Sequence, residues 1–141
     1  MYYHLIKEKR NGFYSTLLLL LILLYSCEKE NPRQLCGVWA IDKMNVNGKS
    51  FEKFLNVNTI SFKCKDNSAF IHGSIYYEGD NKAKWKVIET DGKNNLKIES
   101  SIKIYNDNFD IRIDKEPNGQ LHLYLKSPKI EISALKIIED N

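Results

Sequence analysis

The feature that most constrains the fold is a period-two alternation of apolar and polar residues, which begins at Leu35 and continues almost to the end of the chain. Ala83, Trp85 and Val87, for example, alternate with lysines. Successive side chains of an extended strand point to opposite faces, so this pattern predicts half-buried β-strands. No apolar stripe with helical spacing reaches a comparable length. The pattern therefore predicts an all-β domain.

Turn-forming residues separate the alternating runs, and Pro117-Asn118-Gly119 contains the Asn-Gly pair typical of tight hairpins. Most connections are so short that neighbouring strands must be antiparallel. The exception is the segment 47–57, where Ser50 to Leu55 is predicted to form one helical turn closing an end of the domain. We predict eight strands, at about 36–46, 58–65, 68–77, 82–89, 94–105, 108–115, 120–126 and 128–138.

An eight-stranded meander with one apolar face exposes two strand edges unless it closes on itself, and closure removes the aggregation hazard of those edges. The predicted fold class is therefore a small antiparallel up-and-down β-barrel of about eight strands. The first strand breaks its alternation between Ile41 and Met44. We interpret that break as a β-bulge.

Two interpretations of the barrel interior remain open. Either the inward side chains fill the barrel, or Trp39, Phe62, Trp85, Ile111 and Leu123 line a small cavity for one apolar ligand, which would need about 300 Å³ or more. Large side chains at nearly every strand centre favour the filled barrel. The full predicted inward set is Trp39, Ile60, Phe62, Trp85, Val87, Leu96, Ile98, Ile111, Ile113, Leu121, Leu123 and Ile130.

The N-terminal segment has the pattern of a signal peptide. Lys7, Lys9 and Arg10 precede an unbroken apolar run from Leu17 to Leu24. The whole apolar stretch, from Phe13 to Tyr25, is shorter than the roughly 20 residues that a helix needs to cross a bilayer. The pattern therefore predicts a cleaved export signal and not a membrane-spanning helix.

The sequence Leu24-Tyr25-Ser26-Cys27 resembles the lipobox of bacterial lipoproteins, although Tyr25 is bulkier than is usual there. The resemblance implies lipidation of the Cys27 thiol and cleavage just before Cys27. The alternative is an ordinary secretory peptide with a chance cysteine. Glu28-Lys29-Glu30 resembles the surface-export signal of Bacteroidetes lipoproteins. We expect a cell-envelope protein anchored to the outer membrane, on its periplasmic face or at the cell surface.

The chain of 141 residues divides into a signal peptide at 1–26, a lipidated tether at 27–34 and one domain at 35–141. Its formal net charge is +3, and the basic residues of the signal peptide account for most of that excess. The nearly neutral remainder has no basic footprint, so we predict no nucleic-acid partner.

The segments Leu35-Cys36-Gly37-Val38-Trp39 and Val46-Asn47-Gly48-Lys49 resemble the opening of lipocalin-like lipoproteins of Bacteroidetes. The resemblance covers about 15 residues together with the strand count. It implies a barrel that binds a small hydrophobic molecule, with Gly37 at a close approach of chain segments and Trp39 plugging the closed end.

Cys36 and Cys64 are disulfide candidates if the domain is exported to an oxidising compartment. Pairing Val46 with Asn58 would place Cys64 opposite Ala40, about 13 Å along the strand from Cys36. A disulfide tolerates only about 7 Å between α-carbons. This register argues against the bridge, but the long connection between the two strands leaves the register open, and the disulfide remains an alternative.

Motifs for catalysis or for metal binding are missing from the sequence. Beyond the signal peptide the only histidines are His72 and His122, and neither has metal-ligand spacing with another residue. No nucleophile elbow, phosphate-binding glycine loop or paired catalytic carboxylates can be recognised. We therefore predict no metal, no cofactor and no enzymatic activity.

Three functions remain. The first is a carrier of a small apolar molecule, as the lipocalin-like resemblance implies. The second is an inhibitor or interaction module, resembling lipoprotein barrels that block lysozyme, with Ile75-Tyr76-Tyr77-Glu78-Gly79 as the best contact loop for an envelope protein partner. The third is a passive envelope component with a filled core. The two tyrosines can also be interpreted as residues that merely flank a strand end.

Overall fold

The computed structural model describes residues 32–139. The predicted signal peptide, Cys27 and the export motif Glu28 to Glu30 lie outside the described residues. Within the described part, no helix is long and apolar enough to cross a membrane.

Within residues 32–139, nine β-strands form one antiparallel sheet, and two short 3-10 helices, Pro32–Leu35 and Glu52–Phe54, flank the first strands. The strands are β1 (Gly37–Val46), β2 (Lys49–Ser50), β3 (Thr59–Lys63), β4 (Ser68–Ile71), β5 (Lys82–Thr90), β6 (Lys93–Glu99), β7 (Asp107–Lys115), β8 (Leu121–Lys126) and β9 (Ile130–Glu139).

The sheet closes into a barrel because β1 pairs with β9 along its whole length, from Gly37 to Val46. Eight strands, β1 and β3 to β9, follow one another around the barrel. β2 forms a small hairpin with the end of β1, with Lys49 opposite Val46. The register between β1 and β9 shifts between Ile41 and Lys43, at the predicted bulge. The predicted all-β, eight-stranded antiparallel barrel is confirmed.

The barrel has two different ends, which follow from the strand directions. We call the end at which β1 begins the entry end. The turns β3–β4, β5–β6 and β7–β8 lie at the same end. The first 3-10 helix packs against this end through Leu35, which is fully buried and accepts a 2.7 Å hydrogen bond from the indole N–H of Trp39. The far end carries the β1–β2 hairpin, the second 3-10 helix and the connections 72–81 and 100–106.

The predicted strand at 94–105 is too long, because β6 ends at Glu99. Ile102 and Ile104 continue the apolar alternation but belong to a loop, in which they and Tyr105 are buried over the core. The backbone N–H of Tyr105 donates to the carbonyl of Ile102 at 3.0 Å, which is a turn contact. These residues cover the far end of the barrel, and burial raises the pKa of Tyr105. The predicted strand at 68–77 also ends early, at Ile71.

Cys36 and Cys64 form a disulfide, with 5.6 Å between their α-carbons. The predicted register was wrong: Ala40 lies opposite Thr59 and not opposite Cys64. The sequence-based alignment assumed that the first two long strands meet directly at their connection. In the structure β2 and the second 3-10 helix occupy that connection. As a result, β3 pairs with β1 in a register shifted toward the start of β1, which places the two cysteines next to each other.

We expect the disulfide to contribute about 3.6 kcal/mol to the free energy of unfolding, since it closes a loop across a separation of 28 residues. Chemical denaturation with and without dithiothreitol measures this contribution. The double variant Cys36→Ala/Cys64→Ser is the control and should not respond to the reductant. Free thiols at both positions in unreduced, unfolded protein would contradict the expectation.

Candidate functional site

The interior of the barrel is filled around its centre. Of the five predicted lining residues, Trp39, Phe62 and Leu123 have no accessible surface, and Trp85 is also buried. A void that could hold a water molecule would leave accessible surface on the side chains around it. Phe62 and Trp85 meet edge to face, with ring centroids 5.9 Å apart. The structure thus favours the interpretation in which side chains fill the barrel.

Ile111, the fifth predicted lining residue, is only half buried. It lies toward the entry end, beyond the last paired residues of β6 and β7, Asn95 and Asp110. Val87, Ile113 and Leu121 are half-buried in the same way and pack against the core. Together with Ile111 they form an apolar rim.

An aromatic cluster forms at the far end, where the second 3-10 helix meets the segment after β4. An isolated bridge between Leu55 and Ser74 joins the two segments. The ring of Phe51 lies 5.5 Å from that of Phe54 and 5.6 Å from that of Tyr77, measured between centroids. The rings of Phe54 and Tyr76 are 5.2 Å apart, edge to face. We call the set Phe51, Phe54, Ile75, Tyr76 and Tyr77 the aromatic tip.

The aromatic tip combines a buried base with an exposed apolar surface. Phe51 is buried, whereas the exposed fractions of Ile75, Tyr76 and Phe54 are 68%, 61% and 40%. Clustered exposed apolar side chains are uncommon on monomeric proteins and mark interaction sites. Tyrosine is also among the residues that contribute most to protein interfaces. This surface is therefore the candidate functional site.

The loop that presents Ile75 and Tyr76 is held by its own hydrogen bonds. Ser74 and Tyr77 exchange backbone hydrogen bonds of 3.0 and 3.2 Å, and the backbone N–H of Tyr76 donates to the buried Ser74 hydroxyl. A Cβ atom at Gly73 would lie 2.6 Å from the carbonyl oxygen of Tyr77, so the turn requires glycine. An ordered loop loses little conformational entropy when it binds.

Glu52 fixes the other half of the aromatic tip to the barrel. Its carboxylate accepts hydrogen bonds from the Ser50 hydroxyl at 2.7 Å and from the backbone N–H groups of Phe51 and Met44 at 3.2 and 3.4 Å. These hydrogen bonds hold the pKa of Glu52 below its ordinary value. The ionised side chain therefore ties the second 3-10 helix to the end of β1.

Sequence reasoning identified only part of this surface. It singled out Tyr76 and Tyr77 as a contact loop but placed them at the end of a strand. The predicted helical turn at 50–55 is confirmed by the 3-10 helix Glu52–Phe54. Its phenylalanines were not recognised as part of a surface, although Phe51 and Phe54 are spaced by one helical turn. The missing information was the contact between two segments about 20 residues apart.

His122 lies on the outer face of β8, as its polar-face pattern predicted. Its Nε2 is 2.7 Å from the hydroxyl oxygen of Ser133, and its Nδ1 is 3.0 Å from that of Tyr124. Arg112 stacks on the Tyr124 ring at 4.3 Å. The cluster lies in an open groove of about 500 Å³. His72 has its ring 5.9 Å from that of Phe70.

Among the described residues, no group of three or more histidine, cysteine, aspartate or glutamate side chains is arranged to hold a metal ion. Comparison of the chain with protein-family models, curated proteins and solved structures finds no match. The surface chemistry of the barrel is therefore the basis for inferring a function.

We expect Glu52→Gln to loosen the aromatic tip at neutral pH, because the amide is a weaker acceptor than the carboxylate. Since the folded state lowers the pKa of Glu52, its stabilising effect is present above the ordinary value of 4.5 and is lost as pH falls through the lowered pKa. Hydrogen exchange of the Phe51 amide, which donates to the Met44 carbonyl at 2.7 Å as well as to Glu52, measures the effect as a partial loss of protection.

The exchange difference between wild type and Glu52→Gln should shrink as the solution becomes more acidic. Glu131→Gln is the matched control, because Lys126 holds the pKa of Glu131 below its ordinary value at another site. That variant should leave exchange at Phe51 unchanged. Identical exchange in wild type and Glu52→Gln at neutral pH would refute the role assigned to Glu52.

Proposed function

We propose that this protein is a lipid-anchored, non-enzymatic component of the bacterial outer membrane that binds a partner protein through its aromatic tip. The proposal rests on one observation: the side chains of Phe54, Ile75 and Tyr76 are exposed together at the far end of the barrel, on two segments that are held by hydrogen bonds. Such a surface can bury apolar area against a partner of complementary shape.

The position of the anchor supports this arrangement. Four residues lie between Cys27 and Pro32, so the distance between their α-carbons is at most about 18 Å. Lipid on Cys27 would therefore keep the entry end near the bilayer. β1 spans ten residues, roughly 30 Å along the strand, and leads to the opposite end. The aromatic tip would then point away from the membrane, where a partner can reach it.

A small apolar ligand is the second candidate, and the half-buried rim of Val87, Ile111, Ile113 and Leu121 favours it. This rim lies at the entry end, whereas the centre of the barrel is packed. A ligand would therefore have to bind at the rim, or displace core side chains at a cost in stability. We regard the protein partner as the better-supported function.

The surroundings of Ser133 support the proposal that the protein is not an enzyme. The hydrogen bond between Ser133 and His122 is the described arrangement that most resembles an activated nucleophile. Acyl transfer also needs donors aimed at a developing oxyanion. Ser133 lies within β9, whose backbone pairs with β8 on one side and β1 on the other. Its neighbours in β9, Ile132 and Ala134, are paired on both sides, so their N–H groups are engaged in the sheet.

Site-specific photo-crosslinking tests the aromatic tip. A benzophenone side chain in place of Tyr76 should capture a protein partner in intact cells, and Ile75→Asp should abolish that capture. With the purified partner, Tyr76→Ala should weaken binding by about 2 kcal/mol, the scale for removing an interface anchor. Phe70 is the control position, because it has the same exposed fraction as Phe54, 40%, on the side of the barrel.

Crosslinking of the same species with equal yield at Tyr76 and at Phe70 would show that the contact is not specific to the aromatic tip. The absence of any product at Tyr76, in cells where the protein is folded and exported, would also reject the proposed function. An apolar ligand bound at the entry rim would leave crosslinking at Tyr76 unaffected, so the experiment separates the two candidates.

The anchor is tested by metabolic labelling with a fatty-acid analogue. Wild-type protein should incorporate the label, and Cys27→Ala should not, because the thiol is the proposed attachment point. The variant Cys64→Ser is the control for loss of another cysteine, and it should label like wild type. Equal labelling of wild type and Cys27→Ala would rule out a lipid on this residue.

A further inference from the structure

Two consecutive isoleucines near the end of β9 are both exposed. The exposed fractions of Ile137 and Ile138 are 55% and 59%, whereas a regular strand would turn one of the two side chains inward. Ile138 lies opposite Val38 in the pairing of β9 with β1. The next pair is Lys136 and Trp39, so Ile137 is the extra residue of a β-bulge. The bulge thus leaves two neighbouring apolar side chains outside the barrel.

The two isoleucines continue an apolar surface on the outer face of β1 and β9. Because Trp39 is fully buried, its neighbours Val38 and Ala40 face outward, where both are half-buried. Leu135 lies opposite Ala40 and is also half-buried. These side chains carry no hydrogen-bonding group, so their removal from water is favourable. We call the set Val38, Ala40, Leu135, Ile137 and Ile138 the isoleucine patch.

The isoleucine patch lies where the chain enters the barrel. Val38 is the second residue of β1, and the first 3-10 helix, Pro32–Leu35, comes shortly before it. The end of β9 lies at the same level, because Glu139 pairs with Gly37. Since Pro32 is within about 18 Å of Cys27, lipid on that cysteine would hold this part of the barrel beside the bilayer.

We propose that the isoleucine patch contacts the apolar region of the lipid bilayer beside the anchor. This contact rests on the lipidation of Cys27, which is part of the proposed function. A specific protein interface involves about 20–30 residues on each side, many more than the isoleucine patch offers. A bilayer requires no complementary shape, and acyl chains supply most of the affinity of a lipidated protein, so a few apolar side chains suffice.

Contact at the isoleucine patch would set the orientation of the barrel. A lipid on Cys27 attaches the protein at one point, about which the barrel can turn. A second contact on one side of the entry end restricts that rotation and brings the outer face of β1 and β9 to the membrane. The aromatic tip, at the far end, would then stay in water, where a partner protein can reach it.

Spin labelling of the full-length, lipidated protein tests the proposal. A nitroxide is attached to Ile137→Cys and, in a separate protein, to Ile75→Cys in the aromatic tip. Because Cys36 is bonded to Cys64 and Cys27 would carry the lipid, the introduced cysteine is the thiol that reacts. Collisions with oxygen, which dissolves in lipid, and with a water-soluble nickel chelate are measured in phosphatidylcholine nanodiscs that hold one protein each.

We expect the ratio of oxygen to nickel collisions to be several-fold higher at position 137 than at position 75. Ile138→Asp should lower the ratio at position 137, because a carboxylate is costly to move into an apolar phase. Val57→Asp is the matched control, since Val57 is an exposed apolar residue outside the isoleucine patch, and it should leave the ratio unchanged. Both replacements are at exposed positions and should leave the melting temperature unchanged.

Equal ratios at positions 137 and 75 would overturn the bilayer contact. Few collisions with either reagent at position 137 would place the label against protein, and dipolar broadening of its spectrum would identify a second copy of the chain. Either result would also overturn the proposal.

Recovery of the protein with the nanodiscs reports the anchor separately. Bound protein with a water-exposed label at position 137 would reject the isoleucine patch and leave the anchor intact. Protein that fails to bind the nanodiscs would reject the anchor together with this contact. Crosslinking at Tyr76 is read out independently, so failure of the isoleucine patch can be distinguished from failure of the proposed function.

Discussion

The antiparallel pairing of β1 with β9 is the constraint on which the rest of the structure depends. It joins the first and last long strands along the whole of β1, from Gly37 to Val46, and so removes both edges of the sheet. Once the sheet is closed, one side of every strand faces a single interior. The bulge between Ile41 and Lys43 lets β1 stay in this pairing while its alternation changes phase.

Closure also leaves little room for a ligand at the centre of the barrel, because the interior around Trp39, Phe62 and Leu123 is packed by their own side chains. The loop at 100–106 covers the far end with Ile102 and Tyr105. The neighbouring segments, 51–55 and 72–77, carry three apolar side chains that the core leaves exposed, those of Phe54, Ile75 and Tyr76. The entry end has a disulfide and a group of cations around the first 3-10 helix.

The errors of the sequence-based prediction share one cause. The disulfide was disfavoured because a register was extrapolated across the connection 47–58, whose own hairpin and 3-10 helix decide where β3 pairs. The strand predicted through Tyr105 was extended because loop residues can bury apolar side chains with the same alternation as a strand. In both cases the sequence pattern was interpreted correctly over short distances and wrongly where the chain changes direction.

The sequence by itself determined the all-β class, the inward face of most strands, the bulge in β1 and the closure of the sheet. These follow from alternation and turn chemistry, which are properties of a few consecutive residues. Only the tertiary structure decided the partner of Cys36 and the assembly of Phe51 and Phe54 with Tyr76. Those contacts join residues far apart in the chain, and their positions depend on the register and twist of the whole closed sheet, which no local pattern specifies.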